Sequence, residues 1–320
     1  MDVNLYIHAM GIPYLNRFLK KNCTDSIKTI DLSSLSGKKI VVDISIYLHK
    51  FNLSGSIIDG LYQFVTIFRK ANILPIFVFD GCAPEAKKKT IQRRKRERDV
   101  AQIKCNQLEE KLKHLSGKEK MEALSALRVL RRRAASLPSN AYEIAKEFAS
   151  AAGLEYYQAT SEADIVCAKL VNSGEAWACL SDDMDMFAYG CNSVLRGLNF
   201  QTQLVYHYSY TNILNELNIS SDIFKMMCCI CENDYSSNTG GLVIDEIYNM
   251  AKNSSTLSDF LNHFTTHQQK SIQLAYSIYD IENISSISDI AEYIHPNVEL
   301  YAKPYRDHLR EHDFIFKNPQ

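Results

Sequence analysis

The sequence predicts an α/β protein: a mainly parallel, doubly wound sheet with helices on both faces, an insertion of one or two exposed helices and a helical C-terminal region. Three observations predict it. Short apolar runs at residues 39–45, 74–79, 154–157 and 176–180 alternate with segments of helical apolar spacing, the pattern of successive βαβ units. Three of these runs lead directly into acids: Asp43 within KIVVDIS, Asp80 after LPIFVF, and Asp183 and Asp185 in SDDMD after Leu180. Finally, residues 85–133 break the alternation with a Lys-, Arg-, Glu- and Gln-rich stretch that lacks a β-rich run, as exposed helices standing off a core do.

The elements follow in order. MGIPYLNRFLKK, at 10–21, reads as a tight turn into an amphipathic helix, after a nine-residue lead with no clear pattern. The run at 39–45 is a buried strand carrying Asp43 near its carboxyl end, where open α/β sheets place their sites. Asp43 can equally be the cap of the next helix. Leu61, Phe64, Val65 and Phe68 give 57–71 helical spacing, and 74–79 is the next strand, so a right-handed crossover brings Asp43 and Asp80 to one edge. A helix over 139–152, a strand at 154–157, a helix capped by Ser161 and opening with Glu162 and Asp164, and a strand at 177–180 continue the pattern. Residues 194–198 and 204–208 read as strands flanking a turn. Beyond Thr211 the pattern is helical: 223–231, a Gly-Gly turn at 240–241, a helix over 243–252, then several short helices to the end.

With 46% hydrophobic and 23% charged residues among 320, the composition is that of a globular protein with ample core. No apolar run approaches the ~20 residues of a membrane span, and the N-terminus lacks a signal-peptide core, which argues against membrane and secreted classes. Nine cysteines without regular spacing read as reduced thiols of an intracellular protein. Cys228, Cys229 and Cys231 lie in an apolar helical segment with no second ligand pair, so buried core thiols are expected there rather than zinc.

The formal charge of −1 conceals strong segregation. Glu162/Asp164 and Asp183/Asp185 are acidic doublets spaced i, i+2; if both pairs turn to one point, their repulsion calls for a hard divalent cation held through oxygen. Ordinary solvated loop acids are the alternative. The basic run Lys87, Lys88, Lys89, Arg93, Arg94, Lys95, Arg96 and Arg98 directly follows Asp80, a placement that favours contact with phosphates over a merely solvated face or a localisation signal. Lys87 and Arg94 are seven residues apart, about 20° around a helix axis, and so share a face.

Six pieces in this order resemble the structure-specific 5′-nucleases of the flap-endonuclease/XPG type, a family with a PIN-like fold. They are Met10-Gly11-Ile12, VVDISIYLHK around Asp43, VFDGCAPEAKKK around Asp80, YQATSEADIVCAKL around Glu162 and Asp164, LSDDMDMFAYG around Asp183 and Asp185, and CENDY at Asp234. The resemblance implies a nuclease region at 10–84 and 139–235, an arch at 85–138 and a helical region at 236–320 with a degenerate helix–turn–helix. It implies metal ligation by Asp43, Asp80, Glu162, Asp164, Asp183, Asp185 and Asp234, holding two Mg²⁺ ions with Mn²⁺ as a substitute. Lys87 and Arg94 match the arch's catalytic basic pair, His49 the ring that stacks on a nucleotide, and Lys88, Lys89 and Arg93 further nucleic-acid contacts. The implied activity is cleavage of DNA at 5′ flaps or 5′ ends in replication, repair or recombination, by a monomer in the nucleus, or in host nucleus or cytoplasm for a viral member. The Asn- and Ile-rich composition suits a large DNA virus.

The chain departs from the family pattern in three places. Nine residues precede Met10, where family members begin, so either translation starts at Met10 or the extension folds away from the site. SSNTGGLVIDEIYNM, after Asp234, keeps glycines but lacks the basic residues of the duplex-gripping motif. The terminal DFIFKNPQ shows no convincing sliding-clamp peptide. A 5′→3′ exonuclease, an RNA-directed nuclease and a noncatalytic nucleic-acid-binding scaffold are the alternative readings. The filled acidic positions speak against the last.

Overall fold

Parallel strands survive at the centre of a sheet only if both faces are covered, and the apolar runs of this chain satisfy that requirement. Residues 11–236, 241–254 and 256–295 are described in the computed structural model of the protein. Its strands are β1 (Ile27–Asp31), β2 (Lys39–Asp43), β3 (Leu74–Phe79), β4 (Tyr156–Ala159), β5 (Ala178–Leu180), β6 (Ser193–Arg196), β7 (Leu204–Ser209) and β8 (Ala291–Ile294). They form one sheet in the order β1-β7-β6-β5-β2-β3-β4-β8. The middle five, from β6 to β4, run parallel; β7 pairs antiparallel with β6, β1 antiparallel with β7, and β8 antiparallel with β4.

The helices are α1 (Leu15–Asn22), α2 (Ile44–Ser54), α3 (Ile57–Lys70), α4 (Lys88–Leu112), α5 (Gly117–Ala134), α6 (Ala141–Ala151), α7 (Ala163–Asn172), α8 (Asp185–Ala188), α9 (Tyr210–Leu217), α10 (Ser221–Ile230), α11 (Ile244–Lys252), α12 (Leu257–Leu261) and α13 (Thr266–Tyr279). Alternate strand residues feed two cores. Ile40, Val42, Phe77 and Phe79 face α2, α3 and α6, where Phe64 and Phe68 stack at 4.3 Å. Val41 and Val78 face the other layer, with Phe18 of α1, Leu170 of α7, Met227 of α10, Ile247 of α11 and Ile272 of α13. The helix pair α4–α5 packs mainly on itself; only Ala101, Cys105, Ala123 and Leu127 of the two are buried. None of the helices described is long and apolar enough to cross a membrane.

The predicted class is the observed one, with local corrections. The edge strands β1 and β8 were not expected, and the C-terminal region, expected to be wholly helical, ends its described part in β8 pairing with β4. The third predicted strand, 154–157, lies two residues later at Tyr156–Ala159. The cap position of α7 is Glu162, not Ser161. All nine cysteines are free, and all but Cys82 are buried, including the Cys228, Cys229 and Cys231 group in and just after α10. The nine-residue lead, Met10, Gly240 of the Gly-Gly turn and the C-terminal DFIFKNPQ lie outside the described residues.

Candidate active site

The chain runs from β2 outward through β3 to β4, then returns to the other side of β2 with β5 and β6. The strand order reverses between β2 and β5, the place where doubly wound sheets leave a crevice at their carboxyl ends. Asp43 closes β2 at this point. Both readings of Asp43 hold: it is the cap of α2, accepting from the Ser45 amide at 3.2 Å, and it also accepts from the Ser181 hydroxyl at 3.3 Å beyond β5. Asp80 follows β3. Its Oδ2 accepts from Ser45 Oγ at 2.6 Å and Tyr142 OH at 3.3 Å, and its Oδ1 from the Ala163 amide at 2.9 Å. The last bond satisfies a free amide at the start of α7 from another strand, which is why Ser161 is not needed as a cap. Gly81 lets the two loops touch: a Cβ there would sit 2.2 Å from the Ala159 carbonyl oxygen, and its amide donates to Ser161 O at 2.6 Å. This contact brings Glu162 and Asp164 beside Asp80.

Past β5 the backbone folds back so that Asp183 and Asp185 both face the crevice. Asp183 N donates to Ser181 Oγ at 3.1 Å, and Asp185 N to Asp183 Oδ1 at 2.8 Å. Asp182 turns away into a buried ion pair with Lys50 and accepts from the Gly197 amide at 2.7 Å. Burial works against its charge, but Lys50 and Arg196 outweigh it and hold the carboxyl below its ordinary range. Gly11 packs directly on the doublet: with φ at 71° it adopts a left-handed conformation, and a Cβ would lie 2.0 Å from Asp183 Oδ1. The start of the first motif is therefore part of the wall of the site.

The opposite field surrounds the acids that face the crevice. Burial, with Asp80 and Asp183 nearby, pushes Asp43 well above the usual carboxyl range. Burial and the charges of Asp183 and Asp43 do the same to Asp164; burial, Asp183 and Asp234 do it to Asp185. Asp183 is raised by burial and by Asp234, against the opposing pull of the Asp185 amide and of Lys87 and Arg94. Oδ1 of Asp164 and Oδ1 of Asp185 are buried and have no hydrogen-bond partner among the described residues.

Two cations answer this charge. Lys87, at the end of a short 3-10 turn before α4, places Nζ 2.7 Å from Glu162 Oε2 and 2.9 Å from Asp234 Oδ2. Burial alone would lower its pKa, but Asp234, Glu162 and Asp164 raise it above the ordinary lysine value. Arg94 pairs with the other oxygen of Asp234, and Thr90 donates to the Asp234 carbonyl at 2.8 Å. The predicted shared face of Lys87 and Arg94 is thus real, and it lies on the acids. Among the described residues, no three acids stand close enough together to hold one metal ion as they are. The donor chemistry nevertheless fits a hard divalent ion: oxygen ligands only, excess negative charge and two unpartnered buried oxygens.

The other predicted contacts divide. Arg93 pairs with Glu232 at 3.2 Å on the outer side, Lys88 pairs with Glu85 at 2.7 Å, and Lys89 is exposed. His49 is half-buried at the rim; burial and Arg98 lower its pKa against the pull of Asp80. Sequence reasoning did not single out the groups that orient the acids. Ser45 and Ser181 sit two residues from acids already picked, and Tyr235 follows Asp234 directly, so proximity could have flagged them. Nothing in the sequence pointed to Tyr142, Lys50 or Tyr279.

An acid-lined crevice at a strand-order reversal, roofed by a basic helix, is the arrangement a hydrolytic phosphodiesterase would need. The XPG N-terminal domain model matches residues 10–101 and the XPG I-region model residues 153–234. These matches cover more than half of the chain, which belongs to the XPG family of structure-specific 5′ nucleases. It is 26% identical over 274 residues to flap endonuclease 1-1 of Paramecium tetraurelia, covering 79% of this chain and 67% of that protein. The chain spans about two thirds of the length of such curated relatives. The fold is similar to the catalytic core of Rad2 in complex with DNA substrate, with a TM-score of 0.62 and 17% identity over 94% of this chain and 99% of that one. It is also similar to the Holliday junction-resolving enzyme GEN1 in complex with product DNA and a Mg²⁺ ion, with a TM-score of 0.51 and 16% identity over 92% and 67% of the two chains.

Proposed function

We propose that the protein is a Mg²⁺-dependent DNA endonuclease that cuts at 5′ flaps or 5′ ends during replication, repair or recombination. The observation that carries this reading is the acid-lined crevice whose carboxylates raise one another's pKa, with Lys87 and Arg94 paired to Glu162 and Asp234 at its edge. Asp43, Asp80, Glu162, Asp164, Asp183, Asp185 and Asp234 would hold two Mg²⁺ ions, or Mn²⁺ in their place, some directly and the rest through water. Bound there, the ions supply an acidified attacking water and neutralise the scissile phosphate. The similarity to GEN1 solved with Mg²⁺ supports the choice of ion.

The chain's own groups account for the rest. Lys87 and Arg94 already point into the crevice, and a phosphate entering between them takes the place of the carboxylates they now contact. Lys87 then acts as a point charge and Arg94 as a planar fork on the developing negative charge. His49, half-buried and with its pKa lowered by burial and Arg98, offers a ring face for the base beside the cut. Lys88, Lys89 and Arg93 form the outer track for the phosphates of a single-stranded 5′ end. The reading includes a monomeric enzyme acting in the nucleus, or in a host compartment for a viral protein.

The test is cleavage of a 5′-labelled flap duplex in Mg²⁺, beside a blunt duplex and the Asp183→Ala protein. One flap-length product from the wild type, none from Asp183→Ala, and similar DNA affinity for both are expected. Release of mononucleotides would move the assignment to a 5′→3′ exonuclease. Tight binding without cleavage would overturn it in favour of a scaffold.

A further inference from the structure

The family-matched segments end at residue 234, yet a side chain from beyond them enters the acid cluster. Tyr279 is the last residue of α13 and is fully buried. Its hydroxyl donates to Asp185 Oδ2 at 2.8 Å. Its ring meets Tyr189 edge-on at 4.9 Å and Tyr235 at 5.3 Å between centroids. Tyr235 in turn donates to Glu162 Oε2 at 2.6 Å, and its hydroxyl lies 3.1 Å from that of Tyr189. Three rings from three elements form one plug behind the crevice, and two of its hydroxyls end on two different acids.

A buried tyrosine takes whichever acceptor is near, and a satisfied core hydroxyl is the plain account of any one of these bonds. Two features go beyond it. The acceptor is a carboxylate facing the crevice although the rings pack among themselves, and the bond engages one oxygen of Asp185 while the other, Oδ1, has no partner. A donor that fixes one oxygen sets the torsion of the carboxylate and presents the second in a single direction.

We propose that Tyr279 is a positioning residue: it locks Asp185 so that Oδ1 alone is offered to a divalent cation, making the C-terminal helical region part of the metal centre. This rests on reading the acids as that centre. The Tyr279→Phe change keeps ring and volume and removes only the donor.

The test is Mg²⁺ titration of the metal-free protein by calorimetry, followed by the Mg²⁺ dependence of flap cleavage. Tyr279→Phe should need about tenfold more Mg²⁺ for half-saturation in both, the scale of an outer-shell loss, and should recover most of the cleavage rate at saturating Mg²⁺. Tyr276→Phe, one turn earlier on α13, removes a donor to Asp222 at 2.9 Å outside the crevice and should leave the titration unchanged. In an Asp185→Ala background Tyr279→Phe should have no further effect on Mg²⁺ uptake, since the acceptor it orients is gone. Wild-type Mg²⁺ affinity in Tyr279→Phe would overturn the proposal while leaving the metal centre intact. If the wild type itself took up no Mg²⁺, the metal-centre reading would fall, and this one with it.

Discussion

Asp182 and Asp183 are neighbours in the chain in opposite electrostatic surroundings. Asp182 has Lys50 and Arg196 beside it, so its charge supports the fold; Asp183 has Asp234, Asp43 and Asp164 near it, so its charge opposes the fold. The same opposition reaches Asp164, which allows a test of sign. A carboxyl whose folded pKa lies above its unfolded value binds its proton more tightly in the native state. Its contribution favours the fold in acid and is lost as pH rises from the ordinary carboxyl range through the raised folded value. In EDTA at pH 7.5, Asp164→Asn should therefore raise the thermal midpoint above that of the wild type. The gap should close as the pH falls to about 4, where the wild-type carboxyl is itself protonated. Equal midpoints throughout the range would mean that Asp164 carries no such load. The doublets were legible in the sequence because acids are costly near strand ends. The ion pair that turns Asp182 away was not, because it depends on Lys50, 132 residues away.

At the scale of elements, α4 is the part that must change partners. Its first turns, and the 3-10 turn before them, lie across the acids, with Lys87, Thr90 and Arg94 all engaged by Glu162 or Asp234. Lys87→Ala and Arg94→Ala should each slow single-turnover cleavage by about 10²–10³-fold, the usual loss for one preorganised donor to developing charge. Their DNA affinity should change far less. Single-turnover rates equal to wild type in both would sink the assignment. The basic helix was readable from composition, and β2, β3 and β5 from continuous apolar runs. The strands that went unread are β1 and β8: each lies at an edge, shows water to part of its length and mixes Lys, Thr or Glu with its apolar residues. Such short strands are defined by the partner they pair with more than by their own pattern.

On the scale of the whole molecule, the site couples to global stability. Four raised carboxyls make the metal-free protein carry unneutralised repulsion at neutral pH. Mg²⁺ should raise the thermal midpoint at pH 7.5, by about 2.7 kcal/mol of stability at a hundredfold excess over its dissociation constant. The rise should be smaller at pH 5, where protons compete for the same oxygens. A midpoint indifferent to Mg²⁺ at pH 7.5 would show that the acids bind no ion. The overall class of the molecule was legible because alternation of strand and helix fixes it. The joining of the C-terminal helices to the crevice was not, since a lone tyrosine at a helix end carries no signature.

The pairing of β8 with β4, and the docking of α13 behind Asp185, mean that the centre draws on residues from Gly11 to beyond Tyr279. Contacts of such long sequence separation slow folding. A chain emerging from the ribosome has every acid but the last few elements still missing behind them. All seven acids precede residue 235, so the elements that follow supply the partner of one of them, Tyr279 on Asp185, after the acids themselves have been made.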